Sequence, residues 1–336
     1  MVARRNLSSI PPKATKLLRP RKLEVGDTIA LVAPASPPLS LDVIDRVKSS
    51  LQREGFRVQV SVKARKRLGY LAGSDVERLS DFNNAIRSKR VRAILCIRGG
   101  YGTLRIVDRI DLQALKKNPK IIIGCSDITT IHSLLASRLN MASFHGPVAQ
   151  GLCEADCPSF TWNSFLQRIT GAPEAIGSIT SGYDHYASTV YSLKGGRITA
   201  PLIGGNLAVL TSLLGTPYFP DLRGKILFLE EIGEMPFRID RSLTRLIMSG
   251  ALNGVVGFAL GLFKDCEYRP PKEGEIVEYK QKLRDVFVEK LLPFGKPIVV
   301  GLPFGHLPHN ATLPLLAKAT LDGRRGDLIL EEHGVI

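Results

Sequence analysis

"IIIGCSDITTIHSLL", Ile121 to Leu135, is the stretch on which the reading of this chain turns. Three isoleucines of a buried strand give way to Gly124-Cys125-Ser126-Asp127, and from Ile128 onward the apolar residues take helical spacing. A serine held between a strand and a helix sits on a sharp bend, with its hydroxyl facing the amino end of the helix. Backbone N–H groups and the positive end of the helix dipole there stabilise developing negative charge. The elbow pattern G-x-S-x-G is incomplete, because Ile128 stands where its last glycine would be. Several readings stay open: Ser126 as a nucleophile, Ser126 or Asp127 as a plain helix cap, and Cys125 as a thiol activated at a helix terminus.

Upstream, the same strand-then-helix unit recurs. In "LEVGDTIALVAPASPP" a buried strand is expected over Thr28–Ala33, stopped by Pro34 and Pro37. "SLDVIDRVKSSLQREG" has the i, i+3, i+4, i+7 spacing of an amphipathic helix ending at Gly55, and "FRVQVSV" reads as the next strand. "SDVERLSDFNNAIRSK" is helical with Ser74 or Asp75 as its cap, and "VRAILCIRGGYG" is a strand running into a glycine loop. This alternation predicts a parallel sheet covered on both faces, with ligands gathering at the carboxyl ends of the strands. Both the serine turn and the loop Arg98–Gly102 occupy that edge. The loop is neither G-x-G-x-x-G nor a P-loop, so nucleotide binding lacks its usual cradle. A glycine at Gly99 or Gly100 would instead let a backbone N–H approach a substrate closely, as an oxyanion hole requires.

Between Cys153 and Arg197 polar residues dominate and periodicity fades, so a connecting segment is expected there. A second α/β region follows. "GGNLAVLTSLLG" reads as a helix capped by Asn206 and ended by Gly215, and "GKILFLEEIGE" as a strand entering an acidic loop. "DRSLTRLIMSGAL" reads as a helix capped by Asp240, "GVVGFALGLF" as a strand and "VFVEKLL" as a short helix. "PIVVGLPFGH" is a strand leading to His306. A serine nucleophile needs a base, and the base needs a carboxylate to orient it. His306 and Glu230 stand at strand ends suited to those roles, with Glu231 and Glu234 competing for the acidic one. Phe228 and Glu230 share a strand face by the period-two rule, and Glu231 points the other way.

The bulk numbers fit an ordinary globular protein of roughly two domains. The chain has 336 residues, 44% hydrophobic and 23% charged, enough to bury a core without staples. No apolar run approaches the roughly 20 residues of a membrane span, and five cysteines without a CxxC pair read as reduced thiols. The formal charge of +15 gathers partly in "MVARRNLSSIPPKATKLLRPRK", which has no acidic residue and no apolar signal core. That segment, 1–22, reads as a disordered basic arm. No aromatic-studded basic stripe appears, so nucleic acid is not expected as a partner, nor is a membrane.

Taken together, "GDTIALVAPASP", "RGGYGTLRIVDRID", "IIIGCSDITTIHSLL", "FHGPVA", "PLIGGNLAVLTSLLGTPYFPDLRGKILFLEEIGEMPFRIDRSL" and "VVGLPFGHLPHNATLPL" resemble the serine LD-carboxypeptidase family. They occur in family order and span nearly everything from Leu23 to Asp322. The resemblance implies a Rossmann- or flavodoxin-like amino-terminal domain over 23–152, a linker over 153–197 and a smaller, swivelling β/α domain over 198–330, with the active site between the halves. It implies a catalytic triad of Ser126, Glu230 and His306, with an oxyanion hole from the N–H of Asp127 and that of Gly99 or Gly100. No metal or cofactor is implied. The substrate implied is a small muropeptide that loses its terminal D-alanine, with cleavage of a microcin-type aminoacyl nucleotide, or a catalytically inactive muropeptide-binding protein, as alternatives. A cytoplasmic homodimer is expected. Two departures stand out. Cys125 replaces an aromatic residue, usually tyrosine, before the serine; and "LPLL" replaces "LPLG" at Leu316, read as a packing difference.

Overall fold

A computed structural model describes residues 16–153, 157–183, 189–267 and 282–336. The amino-terminal half runs β1 (Thr28–Val32), α1 (Asp42–Arg53), β2 (Arg57–Val60), α2 (Asp75–Arg87), β3 (Val91–Cys96), α3 (Leu112–Lys117), β4 (Ile121–Gly124), α4 (Thr129–Leu139), β5 (Phe144–His145), α5 (Ala149–Leu152) and α6 (Ser159–Thr170). Strands β1 to β5 pair in parallel, in the order β5-β4-β3-β1-β2. That is the flavodoxin-like order, whose direction reverses between β1 and β3, the usual place for a ligand crevice. β3 and β4 are buried along almost their whole length, as a sheet covered on both faces demands. Ser74 caps α2 in a full capping box with Glu77.

The rest of the chain adds β6 (Gly177–Ser178), β7 (Tyr191–Lys194), β8 (Arg197–Asn206), α7 (Leu207–Ser212), β9 (Ile226–Ile232), α8 (Pro236–Met248), β10 (Gly257–Lys264), α9 (Leu283–Leu291), β11 (Ile298–Leu302), β12 (Leu313–Pro314), β13 (Lys318–Asp322) and β14 (Asp327–Leu330). Its sheet has the order β6-β14-β13-β8-β9-β10-β11-β7. The central β8, β9, β10 and β11 are parallel, and the flanking strands are antiparallel. β12 crosses back to pair with β5 of the first sheet, so the two halves share a seam.

Several expectations need correction. The stretch 153–197 is more than a connector: it holds α6, β6 and β7. α6 was obscured because its buried face includes Thr161 and Arg168 beside Phe165 and Ile169. β8 escaped notice because Pro201, Gly204 and Gly205 interrupt it. α8 starts at Pro236, not at Asp240; proline at the first helical turn is the signal, and Asp240 lies inside, paired with Lys290 at 3.3 Å. Residues 1–15 of the basic arm lie outside the described residues, but 16–22 are tied down. Leu18 exchanges backbone hydrogen bonds with Asn140 and Ala142, Pro20 and Lys22 bond to Ile336, and Arg19 pairs with Glu332 at 2.7 Å. Leu316 adopts φ +64°, so the difference between "LPLL" and "LPLG" bears on backbone conformation and not on packing alone.

Candidate active site

β4 delivers Ser126 at the carboxyl edge of the first sheet, as the sequence implied. Ser126 opens a 3-10 turn that leads straight into α4 and has φ +61°, a left-handed conformation uncommon for a residue with a Cβ. Such local strain clusters at functional turns, because it aims a side chain that relaxed backbone would point elsewhere. The turn is held from below by Asp127. Its buried carboxylate accepts the Thr103 N–H at 2.8 Å, and the Thr103 hydroxyl donates to the Asp127 carbonyl at 2.7 Å. Burial pushes the Asp127 pKa up, while the Thr103 hydrogen bonds oppose that rise. Asp127 therefore clamps the serine turn to the chain just after the glycine loop.

That loop packs directly on Ser126. A Cβ on Gly99 would lie 2.6 Å from the Ser126 Cβ and 3.0 Å from its Oγ, which only a glycine avoids. Ser36, from the loop after β1, braces both sides of Gly100: its N–H donates to the Gly99 carbonyl at 3.0 Å, and its hydroxyl accepts the Tyr101 N–H at 3.2 Å. The N–H groups of Gly99 and Gly100 have no acceptor among the described residues. Arg78, buried on α2, donates to the Gly102 carbonyl at 2.9 Å and fixes the far end of the loop.

The second sheet supplies the other groups. Glu230, fully buried on β9, accepts a 2.6 Å hydrogen bond from His306 Nδ1. Burial would raise the Glu230 pKa, but the adjacent His306 outweighs it and holds the carboxyl below its ordinary range. Burial would likewise lower the His306 pKa, and the Glu230 charge and hydrogen bond carry it above the ordinary value instead. Of the competing acids, Glu231 faces away as expected. It accepts from Asn206 Nδ2 at 2.7 Å and from the Ala208 N–H at 2.8 Å, and burial raises its pKa to about 6. Glu234 pairs with Arg238 at 3.3 Å.

The two edges face one another. The Asn206 N–H, opposite Glu230 in the β8–β9 ladder, donates to the Thr129 hydroxyl of α4 at 3.0 Å. The Glu230 charge reaches both the Cys125 thiol and His145, which is paired with Gly124. Glu230 and His306 are thus joined, while among the described residues no hydrogen bond links Ser126 to His306. Catalytic hydrogen bonds often close only around substrate. Cys125 is buried, and burial, reinforced by Glu230, pushes its thiol pKa far up, which keeps it from acting as a thiolate.

Sequence reasoning missed what holds the histidine loop. Thr161 of α6 donates to the Pro308 carbonyl and accepts the Asn310 N–H at 2.7 Å, and Ser164 accepts the Thr312 N–H at 2.9 Å. The Asn310 side chain in turn accepts the Gly305 N–H at 3.2 Å. The available signal was a helical pattern between Pro158 and Gly171 whose polar positions pointed inward.

An α/β chain with a serine on a strand-to-helix elbow and a buried acid–imidazole pair opposite falls in the class of serine hydrolases. Comparison with known proteins narrows the class. Residues 29–146 match the family described as LD-carboxypeptidase N-terminal domain, and residues 199–321 match LD-carboxypeptidase C-terminal domain. A probable murein peptide carboxypeptidase of Bacillus subtilis is 34% identical over 93% of this chain and 94% of its own length. A murein tetrapeptide carboxypeptidase of Pseudomonas aeruginosa is 32% identical, covering 90% of this chain and 95% of the relative. Among solved structures, a muramoyltetrapeptide carboxypeptidase from Oxalobacter formigenes superposes with a TM-score of 0.75 at 28% identity, over 90% of this chain and 97% of that one. The chain belongs to the LD-carboxypeptidase family and is a serine-type carboxypeptidase.

Proposed function

We propose that the enzyme hydrolyses the L,D peptide bond of murein tetrapeptides and releases terminal D-alanine, with Ser126, His306 and Glu230 as its triad. The observation that carries this reading is the 2.6 Å bond between buried Glu230 and His306, set across from a serine in a left-handed turn. In the reaction, His306 accepts the Ser126 proton as Oγ attacks the scissile carbonyl. The oxyanion is held by the N–H of Asp127 and that of Gly99 or Gly100, donors of a kind worth about 3–4 kcal/mol each when removed. His306 then passes its proton to the departing D-alanine nitrogen. An ester of Ser126 remains, and water activated by the same imidazole hydrolyses it. Glu230 holds the imidazole tautomer and stabilises the imidazolium.

The names of the murein carboxypeptidases from Bacillus and Pseudomonas support the substrate class. The positive charge of the chain suits a substrate bearing several carboxylates. The deciding experiment incubates the full chain with a free murein tetrapeptide and follows D-alanine by mass spectrometry. Release by the wild type, and its loss by at least about 10³-fold in Ser126→Ala, is the expected result. Retained release in Ser126→Ala would sink the triad, and hydrolysis of an aminoacyl sulfamoyl nucleoside alone would move the substrate to the microcin branch. Cytoplasmic residence and a homodimer belong to the same reading; sedimentation equilibrium tests the second.

A further inference from the structure

β9, which carries Glu230, leads into a feature that the reaction above does not use. Past Glu234 the chain enters α8, where Arg238, Arg241 and Arg245 recur at i, i+3 and i+7. That spacing lines three guanidinium groups along one helix face over roughly 10 Å. A concavity of about 360 Å³ lies over the face, with Ala208 and Thr211 of α7 forming part of its wall and Ser242 contributing a hydroxyl.

The charges in this groove are unbalanced. Glu234 reaches Arg238 at 3.3 Å, but among the described residues neither Arg241 nor Arg245 has a carboxylate partner. An ordinary solvated helix face interleaves acids, as α1 does where Asp42 meets Arg46 at 3.1 Å. Here Phe237 supplies an aromatic platform instead. The guanidinium carbons of Arg238 and Arg241 lie 5.9 Å and 5.6 Å from its ring centroid. Cation–π contact of this kind orients the planar guanidinium, and at Arg241, which Glu234 does not reach, it leaves the N–H fork open to a planar or tetrahedral anion. The volume lies within the range of small-ligand sites.

We propose that this groove binds a small oligo-anion carrying two or more phosphate or carboxylate groups within a span of about 10 Å. The claim is independent of the murein reaction, because neither Ser126, Glu230 nor His306 lines the groove.

Isothermal titration of the full chain at low ionic strength with pyrophosphate, and separately with citrate, tests it. Saturable one-to-one binding of at least one of them is expected, weakened tenfold or more in Arg241→Gln/Arg245→Gln. A matched control, Arg53→Gln/Arg57→Gln, removes the same charge from the other half and should leave binding unchanged. Arg241→Lys/Arg245→Lys keeps the charge but not the forks, and should fall between. Thermal melts of all variants confirm folding. Binding of pyrophosphate alone assigns phosphate chemistry, and binding of citrate alone assigns carboxylates. No saturable binding of either, or equal weakening in both glutamine pairs, overturns the proposal.

Discussion

At the scale of single residues, the pH dependence of the proposed reaction follows from one pair. His306 must be neutral to accept the Ser126 proton, and its pKa lies above the ordinary 6.5 because Glu230 outweighs burial. The rise of kcat/KM with pH should therefore have its midpoint above about 6.5. Glu230→Gln removes the charge that lifts it and leaves burial in command. The midpoint should then move below the ordinary value, while kcat/KM falls by about 10³–10⁴-fold. A pH–rate profile in which Glu230→Gln leaves the midpoint unmoved would break the coupling. Cys125→Ala should keep most activity, since the thiol there is held protonated by burial and by Glu230. Activity lost in that variant with its melting temperature intact would make the thiol the nucleophile.

Single elements set the tolerances around these residues. In the glycine loop, Gly99→Ala places a methyl 2.6 Å from the Ser126 Cβ and 3.1 Å from the Cys125 carbonyl. The loop and the elbow must then part, and we expect kcat to drop by about 10²-fold with KM changed far less, because one oxyanion donor is displaced. Beneath the elbow, α4 and β5 bury two neutral imidazoles. His132 bridges the Ser143 hydroxyl and the Gly124 carbonyl at 2.9 Å each, and burial lowers its pKa to about 3. His145, stacked edge-on against Phe228, is lowered to about 4 for the same reason. Between pH 6.5 and about 4 the unfolded chain binds protons that these rings refuse, so stability falls as pH drops through that window. Glu231, raised to about 6, binds its proton early on folding and offsets part of the fall. The urea midpoint should be clearly lower at pH 4.5 than at pH 7, with His132→Gln flattening the difference; an equal midpoint at both pH values would refute buried neutral rings. At Leu316, relief of the left-handed backbone in Leu316→Gly gains about 1–2 kcal/mol, less than the 3–5 lost with a buried leucine. Net destabilisation by about 1–4 kcal/mol is expected by urea unfolding.

Over the whole molecule, the two sheets meet where Thr129 of α4 accepts the Asn206 N–H, close to the proposed oxyanion hole on one side and to Glu230 on the other. Gly205 makes the approach possible, since a Cβ there would stand 2.5 Å from the Thr129 hydroxyl. Thr129→Val leaves a buried N–H without its acceptor and should cost about 1–3 kcal/mol in urea unfolding. A larger proportional loss in kcat/KM than in Ser36→Ala would show that the seam aligns the two halves as well as stabilising them.

Much of this was legible in the chain itself. Strand runs such as 121–124 and 226–232, the Ser74 and Asn206 caps and the serine turn are local features, because propensity, capping and period-two burial act over a few residues. Strand periodicity showed that Glu230 and Glu231 point opposite ways, but which of them serves the histidine rested on the family resemblance. α6 and β8 were not legible, since their inward polar or glycine positions make sense only against distant partners: Thr161 against Pro308 and Asn310, Gly205 against Thr129. By itself the sequence determined the parallel first sheet, the elbow that presents Ser126 and the family to which the chain belongs. The meeting of β9 with the 303–312 loop, the shift of Glu230 and His306 in opposite directions and the arginine groove on α8 were decided by tertiary structure alone. Burial and electrostatic coupling depend on which groups lie within a few ångströms in space, and these lie far apart along the chain.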